Sequence, residues 1–304
     1  MSQLIVLENE FWQVGILPQT GGSIAFGRIK HDGAWYDIFR PTHETDYTNA
    51  SKCASFVMVP WSNRIRDGKF TFQGKPYQLP INNKDGTAIH GIGRDLEWTV
   101  RKHEADRLEL GLDTRKAKRY FAMPFTSKVD FRLNGKKLAL SIEVKNVGRS
   151  PMPAGFGHHP YFQRTLTNSN DFAKIKIPCS HYFALENMMA IDAPLPIPKN
   201  ALWDYQRLRL LGDKPLDHIL TNRQDKQPIR IHYAQSGREL IIRSDPIYEH
   251  AVFYAPLRET FFAIEPVTNV NDGFNLMEKG VEGHGVFILN PLERKKGKMV
   301  FEVK

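Results

Sequence analysis

Val129-Asp130-Phe131-Arg132-Leu133, then Asn134-Gly135, then Leu138-Ala139-Leu140-Ser141-Ile142-Glu143-Val144 is the stretch on which the fold turns. Apolar and polar side chains alternate along both arms, the period of a strand with one buried face. Asn-Gly between the arms supplies the positive φ angles of a tight hairpin turn. Phe70-Thr71-Phe72-Gln73-Gly74-Lys75-Pro76-Tyr77-Gln78-Leu79 repeats the pattern around a Gly-Lys-Pro turn. Residues 98–100, 108–110, 229–233, 239–242, 251–254, 285–289 and 299–303 read as further strands. Helical patterning is confined to 201–208 and 273–277, each below the length at which an isolated helix is stable. Many closely spaced strands without alternating helices predict an all-β, antiparallel sandwich or barrel-like body. With no internal repeat, low-complexity tract or linker, one domain over 1–304 is expected.

Composition fits this reading. The 304 residues are 41% hydrophobic and 25% charged, ordinary values for a folded chain that exclude wholesale disorder. Gly 22, Pro 19 and Cys 2 exclude a collagen-like or disulfide-dense protein. Cys53 and Cys179 are expected to be reduced. The opening residues show no basic region followed by a long apolar run, and no stretch has the length of a membrane-spanning helix. A cytoplasmic protein with no membrane partner is expected. The formal net charge of +9 hints at anionic partners, but net charge speaks to solubility and loose association.

Four segments concentrate groups able to do chemistry. Pro60-Trp61-Ser62-Asn63-Arg64-Ile65-Arg66-Asp67-Gly68 places a guanidinium fork beside an amide and an aromatic face. Its plain alternative is a surface strand with solvated charges. His90-Gly91-Ile92-Gly93 follows Asn82-Asn83-Lys84-Asp85-Gly86; a single Gly-x-Gly without a following amphipathic helix disfavours a nucleotide loop. Gly155-Phe156-Gly157-His158-His159-Pro160-Tyr161-Phe162 has adjacent histidines, which point to opposite faces of an extended chain. No metal-ligand spacing occurs, so no metal site is expected. One histidine of the pair could be an acid or base near neutral pH, or a hydrogen-bonded residue packed among aromatics. Glu265, in Phe261-Phe262-Ala263-Ile264-Glu265-Pro266-Val267-Thr268-Asn269, ends an apolar strand-like run. A carboxylate buried there is costly unless bonded, and is also how a general base is tuned. Capping a neighbouring loop is its alternative.

Taken in order, these segments resemble the aldose 1-epimerase (mutarotase) family. Asn63-Arg64-Ile65, Gly68-x-Phe70, Phe72-x-Gly74, Tyr77-x-Leu79, Asn82-Asn83 and His90-Gly91 are similar to its N-terminal signature. His159-Pro160-Tyr161-Phe162 matches its histidine motif, Leu216-Asp217-His218 its Asp-His segment and Glu265-Pro266-Val267-Thr268-Asn269 its glutamate motif. The resemblance implies a large antiparallel β-sandwich (a supersandwich, galactose mutarotase-like), a monosaccharide in a concave cleft, and no cofactor. It implies that Glu265 is the general base and His159 the general acid, with His90 positioning the sugar near the reacting centre. Asn63, Arg64, Asp217 and Tyr161 are the expected substrate-binding residues, Arg64 and Asp217 holding hydroxyl groups away from that centre. Trp61, Tyr161 and Phe162 could offer faces to the sugar or belong to the core. A monomer or homodimer with no nucleic-acid partner is expected.

The stretch 82–89 departs from the family pattern, which leaves the choice of sugar open. Relatives acting on hexose 6-phosphates generally lack the His-Pro-Tyr-Phe form, so a neutral aldose is favoured, while the charge keeps an acidic or phosphorylated sugar in view. The alternatives are a non-catalytic sugar-binding module on the same scaffold, a glycoside hydrolase using Asp217 with Glu265, and a polyanion binder using the basic runs at 115–119 and 294–298.

Overall fold

The computed structural model describes residues 4–224 and 227–304. Residues 1–3, at the head of the segment read above for a leader, lie outside them. Among the described residues the chain is almost entirely antiparallel β. Two large sheets face one another. The nine-stranded sheet runs in the order Thr99–Glu104, Arg107–Asp113, Phe125–Asn134, Lys137–Asn146, Arg294–Val303, Glu239–Ser244, Ile229–Tyr233, Ala173–Lys176, Arg209–Leu210. The eight-stranded sheet runs Leu195–Pro196, Cys179–Phe183, Leu216–Arg223, His250–Ala255, Phe261–Val267, Gly157–His158, Val57–Met58, with Tyr161–Gln163 also pairing Phe261–Val267. A four-stranded sheet of Ile5–Glu8, Trp12–Leu17, Ser23–His31 and Ala34–Asp37 joins them.

The hairpin Phe125–Asn134/Lys137–Asn146 is the most regular part, with ten residue pairs in unbroken register from Phe125↔Asn146 to Asn134↔Lys137. Val129, Phe131, Leu133, Leu138, Leu140, Ile142 and Val144 are buried, as the alternation requires. The turn sits one residue later than the Asn-Gly rule places it: Asn134 pairs with Lys137, and Gly135, at φ +52°, leads the two-residue loop. The turn at 69–78 moves the other way, one residue earlier. There Gln73-Gly74 (φ +51° and +72°) makes the turn, and Pro76 lies inside the strand Lys75–Gln78. Proline lacks a ladder donor, and this hairpin is a separate two-stranded ribbon where none is needed on the outer side.

The helix expected at 273–277 forms as Gly273–Glu278. The one expected at 201–208 does not. Residues 201–206 make turns, Asp204 N donating to Ala201 O, and Leu202 and Leu208 are exposed. Trp203 instead stacks on His218 at 4.2 Å and Tyr205 packs on Phe253 at 4.9 Å, contacts a regular helix would not make together.

Between the sheets, Phe301 of the nine-stranded sheet meets Phe39 at 5.6 Å and Phe162 at 6.4 Å. Phe131, Leu140, Phe253, Phe262 and Ile264 belong to the same core. A second, smaller cluster of Phe56, Met58, Ile219, Val252 and Val267 lies on the other face of the eight-stranded sheet. The two lists interleave along each strand, Val252 with Phe253 and Ile264 with Val267. That alternation decides which side chains can reach the outer face. Cys53 and Cys179 are buried and unpaired. Among the described residues no helix is long and apolar enough to cross a membrane.

Candidate active site

Strand register assembles the outer face of the eight-stranded sheet row by row. Asp217 pairs with Tyr254, Tyr254 with Ala263 and Ala263 with Tyr161, which sets these four side by side. The next row holds Ile219, Val252 and Glu265. Gly157–His158 then points His158 inward and His159 outward, as expected from the period of a strand. His158 Nε2 meets Ser55 Oγ at 2.8 Å, and its ring lies 6.3 Å from Phe301. His159 Nε2 lies 3.1 Å from Glu265 Oε1.

His159 is packed between rings, Phe56 at 4.6 Å and Tyr161 at 4.5 Å, with the edge of His90 at 5.2 Å. His90 reaches this place through the short pair Arg64–Ile65/Ala88–Ile89, whose register is Arg64↔Ile89. Both Asn63 (φ +56°) and His90 (φ +62°) are left-handed, and the His90 amide donates to Asn63 O at 2.8 Å. Asparagine and histidine are among the side chains that tolerate this conformation best. The two turns thereby deliver Arg64 and His90 to the same edge of the site.

Asn63 Nδ2, His90 Nδ1, His159 Nδ1 and Glu265 Oε2 are buried and have no hydrogen-bond partner among the described residues. An unmatched buried polar atom costs about 1–3 kcal/mol. Four in one contiguous group make this a surface organised for a polar ligand.

The electrostatics of the pair follow from burial. Burial pushes the Glu265 carboxyl well above the usual carboxylate range, the nearby Asp217 charge adds to this, and Arg64 opposes it. Burial likewise holds the His159 imidazole well below its ordinary value, helped by the Arg94 and Arg40 guanidinium groups. His90 is lowered by burial, by His159 and by the arginines Arg94 and Arg64. Asp217 is raised to about 6 by burial against the pull of Arg64. Burial thus acts on both members of the Glu265–His159 pair in the same sense, disfavouring charge on the carboxyl and on the imidazole alike.

The seven expected site residues divide as follows. Glu265, Tyr161 and His90 each contact His159, and Asn63 joins them through His90, with Glu265, His159, His90 and Asn63 buried. Arg64 and Asp217 are partly exposed and act on the centre through their charges. Arg64 Nε donates to Asp85 Oδ2 at 2.8 Å. Of the aromatic residues offered as a sugar platform, Tyr161 faces the site. Trp61 belongs to the core against Phe121 and Phe274, and Phe162 to the core against Phe39 and Phe262. Sequence reasoning missed Phe56, Tyr254 and the two arginines behind the aromatic layer. Arg40 lies 3.9 Å over the Tyr161 ring and Arg94 5.4 Å from Phe56. Arg94 follows the quoted Gly91-Ile92-Gly93 and was within reach of that reading; nothing local marks Arg40 or Phe56.

Comparison with known proteins bears on the fold and the family. The chain is 26% identical over 223 residues to the uncharacterized protein YihR of Escherichia coli K12, covering 72% of this chain and 71% of that protein. It is 22% identical over 194 residues to the galactose mutarotase of Rattus norvegicus, covering 59% of this chain and 56% of that one. Among solved structures, a galactose mutarotase-like protein from Clostridium acetobutylicum superposes with a TM-score of 0.88 at 21% identity, covering 100% of this chain and 95% of that one. The aldose epimerase homologue from C. elegans gives 0.85 at 16% identity, covering 100% and 99%. At these identities the superpositions establish the galactose mutarotase-like fold alone. The model of the aldose 1-epimerase family matches residues 3–302, and the chain belongs to that family.

Proposed function

We propose that the protein is an aldose 1-epimerase that interconverts the α and β anomers of a free aldose by opening and closing its ring. The reading is carried by the 3.1 Å contact between His159 Nε2 and Glu265 Oε1, two buried titratable groups within proton-transfer distance. Hemiacetal opening removes a proton from the anomeric hydroxyl and delivers one to the ring oxygen, so one carboxylate and one imidazole suffice. In the opening half-reaction Glu265, as carboxylate, takes the O1 proton while the His159 imidazolium gives its proton to O5. The C1–O5 bond breaks as C1=O1 forms. This leaves a protonated Glu265 and a neutral His159, the form that burial favours. After rotation about C1–C2, O5 attacks the other face of C1. His159 now takes the O5 proton and Glu265 returns one to O1. Each residue serves as acid in one direction and base in the other, and no proton enters or leaves.

His90 and Asn63 bring unmatched polar atoms to the reacting end, Tyr161 an aromatic face, and Arg64 and Asp217 donors and acceptors for hydroxyl groups. The core shared by the two large sheets supports one domain over the chain. The placement of His159, not Asp217, against Glu265 favours epimerisation over a two-carboxylate hydrolase.

The test is to dissolve pure anomers of several aldoses and follow optical rotation with and without protein. Acceleration by the native chain should fall by about 10²–10⁴-fold in Glu265→Gln. Full activity in that variant would defeat the assignment, and sugar binding without any acceleration would identify a binding module instead.

A further inference from the structure

The loop 82–87, which departs from the family pattern, is fixed against the site by two sets of contacts. Asn82 brackets Ile89, its Oδ1 accepting from Ile89 N at 2.7 Å and its Nδ2 donating to Ile89 O at 3.1 Å. Asp85 accepts from Thr87 Oγ1 at 2.6 Å and Thr87 N at 3.2 Å through Oδ1, which leaves Oδ2 for Arg64 Nε at 2.8 Å. Ile89 is the register partner of Arg64 and precedes His90. The carboxylate is thus held by its own loop in a set orientation before it meets the guanidinium.

Arg64 is the cation that opposes burial at both Asp217 and Glu265, so its charge reaches the reacting end. Its side chain is 18% exposed and that of Asp85 36%, at the rim of the site. Among the described residues its two terminal nitrogens make no hydrogen bond to protein, so they remain as donors to a ligand. An unpaired arginine here would draw a carboxylate or phosphate into a bidentate contact. With Asp85 on Nε the fork is neutralised, and Asp217, on which the Arg64 charge also acts, adds negative charge from the eight-stranded sheet. An anionic substituent then gains little from the guanidinium and is repelled by two carboxylates, whereas a hydroxyl group still accepts from the fork and donates to either acid.

We propose that Asp85 is a specificity-determining residue: its ion pair with Arg64 sets this end of the site for uncharged sugars and against sugars bearing a carboxylate or phosphate. The overall charge of +9 is therefore a poor guide to the ligand, because the field at the rim is set by these few groups. The inference rests on the epimerase reading of the same site.

The experiment compares galactose with galacturonate, which differ in bearing CH₂OH or COO⁻ at C6, in native protein, Asp85→Asn and Asp85→Ser. Native protein should favour galactose in kcat/KM for anomer exchange. Both variants should raise the galacturonate-to-galactose ratio by about fivefold, the scale of one partly exposed ion pair. High salt should shrink the gain, and adding Arg64→Met should abolish it. Dissociation constants for the same two sugars, measured on the Glu265→Gln background by ligand-observed NMR, should move in the same ratio. If no sugar is turned over by the native protein, the epimerase reading fails, and the ratio of dissociation constants still decides the role of Asp85. An unchanged ratio in both variants, or a native preference for galacturonate, would overturn the proposal.

Discussion

His158 and His159 are neighbours in the chain and point to opposite faces of the eight-stranded sheet. The face of the sheet that carries His158 looks into the intersheet core, where Phe162, Phe262, Ile264 and Phe301 pack. His158 is matched there by one serine hydroxyl. The face that carries His159 also holds Glu265, Asp217, Tyr161 and Tyr254, and several of its polar atoms are unmatched. One strand therefore has two faces of different kind, one given to cohesion and the other to the proposed chemistry. A buried histidine by itself does not suggest a catalytic site; the proposal rests on a buried histidine against a buried carboxylate with unmatched polar atoms around them.

Substitution at the two histidines should break the symmetry most sharply. His159→Asn is expected to lower anomer exchange by about 10²–10⁴-fold, whereas His158→Asn should leave the rate per folded molecule near native. Polarimetry paired with circular dichroism checks both, and equal rate losses would erase the distinction.

The next effect is on stability. Phe162→Ala on the inner face should cost about 3–5 kcal/mol in denaturant unfolding, because the cavity would lie amid Phe39, Phe262 and Phe301. Its outward neighbour Tyr161→Phe keeps the ring and should lose far less stability, leaving the aromatic face of the site in place.

Acid should act on the two faces with opposite signs. His158 is lowered by burial from 6.5 to about 3, so the unfolded chain takes its proton first and stability is lost as pH falls through that window. Asp217 is raised by burial from 3.8 to about 6, so the folded chain binds its proton more tightly and stability is gained as pH falls from 6 to 3.8. Asp217→Asn should therefore melt higher than the native protein at pH 7, with the advantage shrinking by pH 4. Melting curves that run parallel from pH 4 to 7 would contradict this. The same substitution removes a charge that raises Glu265, so the acid limb of kcat/KM should move to lower pH.

The smallest effect is expected at the exposed run Lys295-Lys296, far from either face. Replacing both with alanine should change stability by no more than about 0.5 kcal/mol and leave catalysis unchanged.

What was legible in the sequence was what depends on period and on near neighbours. The hairpin over 125–146 could be read because every second side chain is apolar, and the split between His158 and His159 because an extended chain has only two faces. Glu265 announced itself as a carboxylate ending an apolar run. The turns slipped by one residue because pairing across the ladder, not dipeptide preference, fixed them. The stretch 201–208 lost its helix to aromatic contacts with His218 and Phe253, partners the local pattern does not contain. Asp85 meets Arg64 only through the short ladder of 64–65 with 88–89, and Arg40 and Arg94 reach Tyr161 and Phe56 only in the folded chain. No local spacing encodes such pairs.

The strand Arg294–Val303 lies at the middle of the nine-stranded sheet, paired to Lys137–Asn146 on one side and Glu239–Ser244 on the other. During synthesis at about 5–20 residues per second, the hairpin over 125–146 emerges many seconds before this strand exists. Until then two open ladders face solvent, each a template for pairing with another chain. The exposed charges at Lys137 and Arg243 border those edges. The order of translation thus makes the newborn chain most vulnerable to aggregation just before its central strand arrives, and a ribosome stalled short of residue 294 would release a sheet without its keystone.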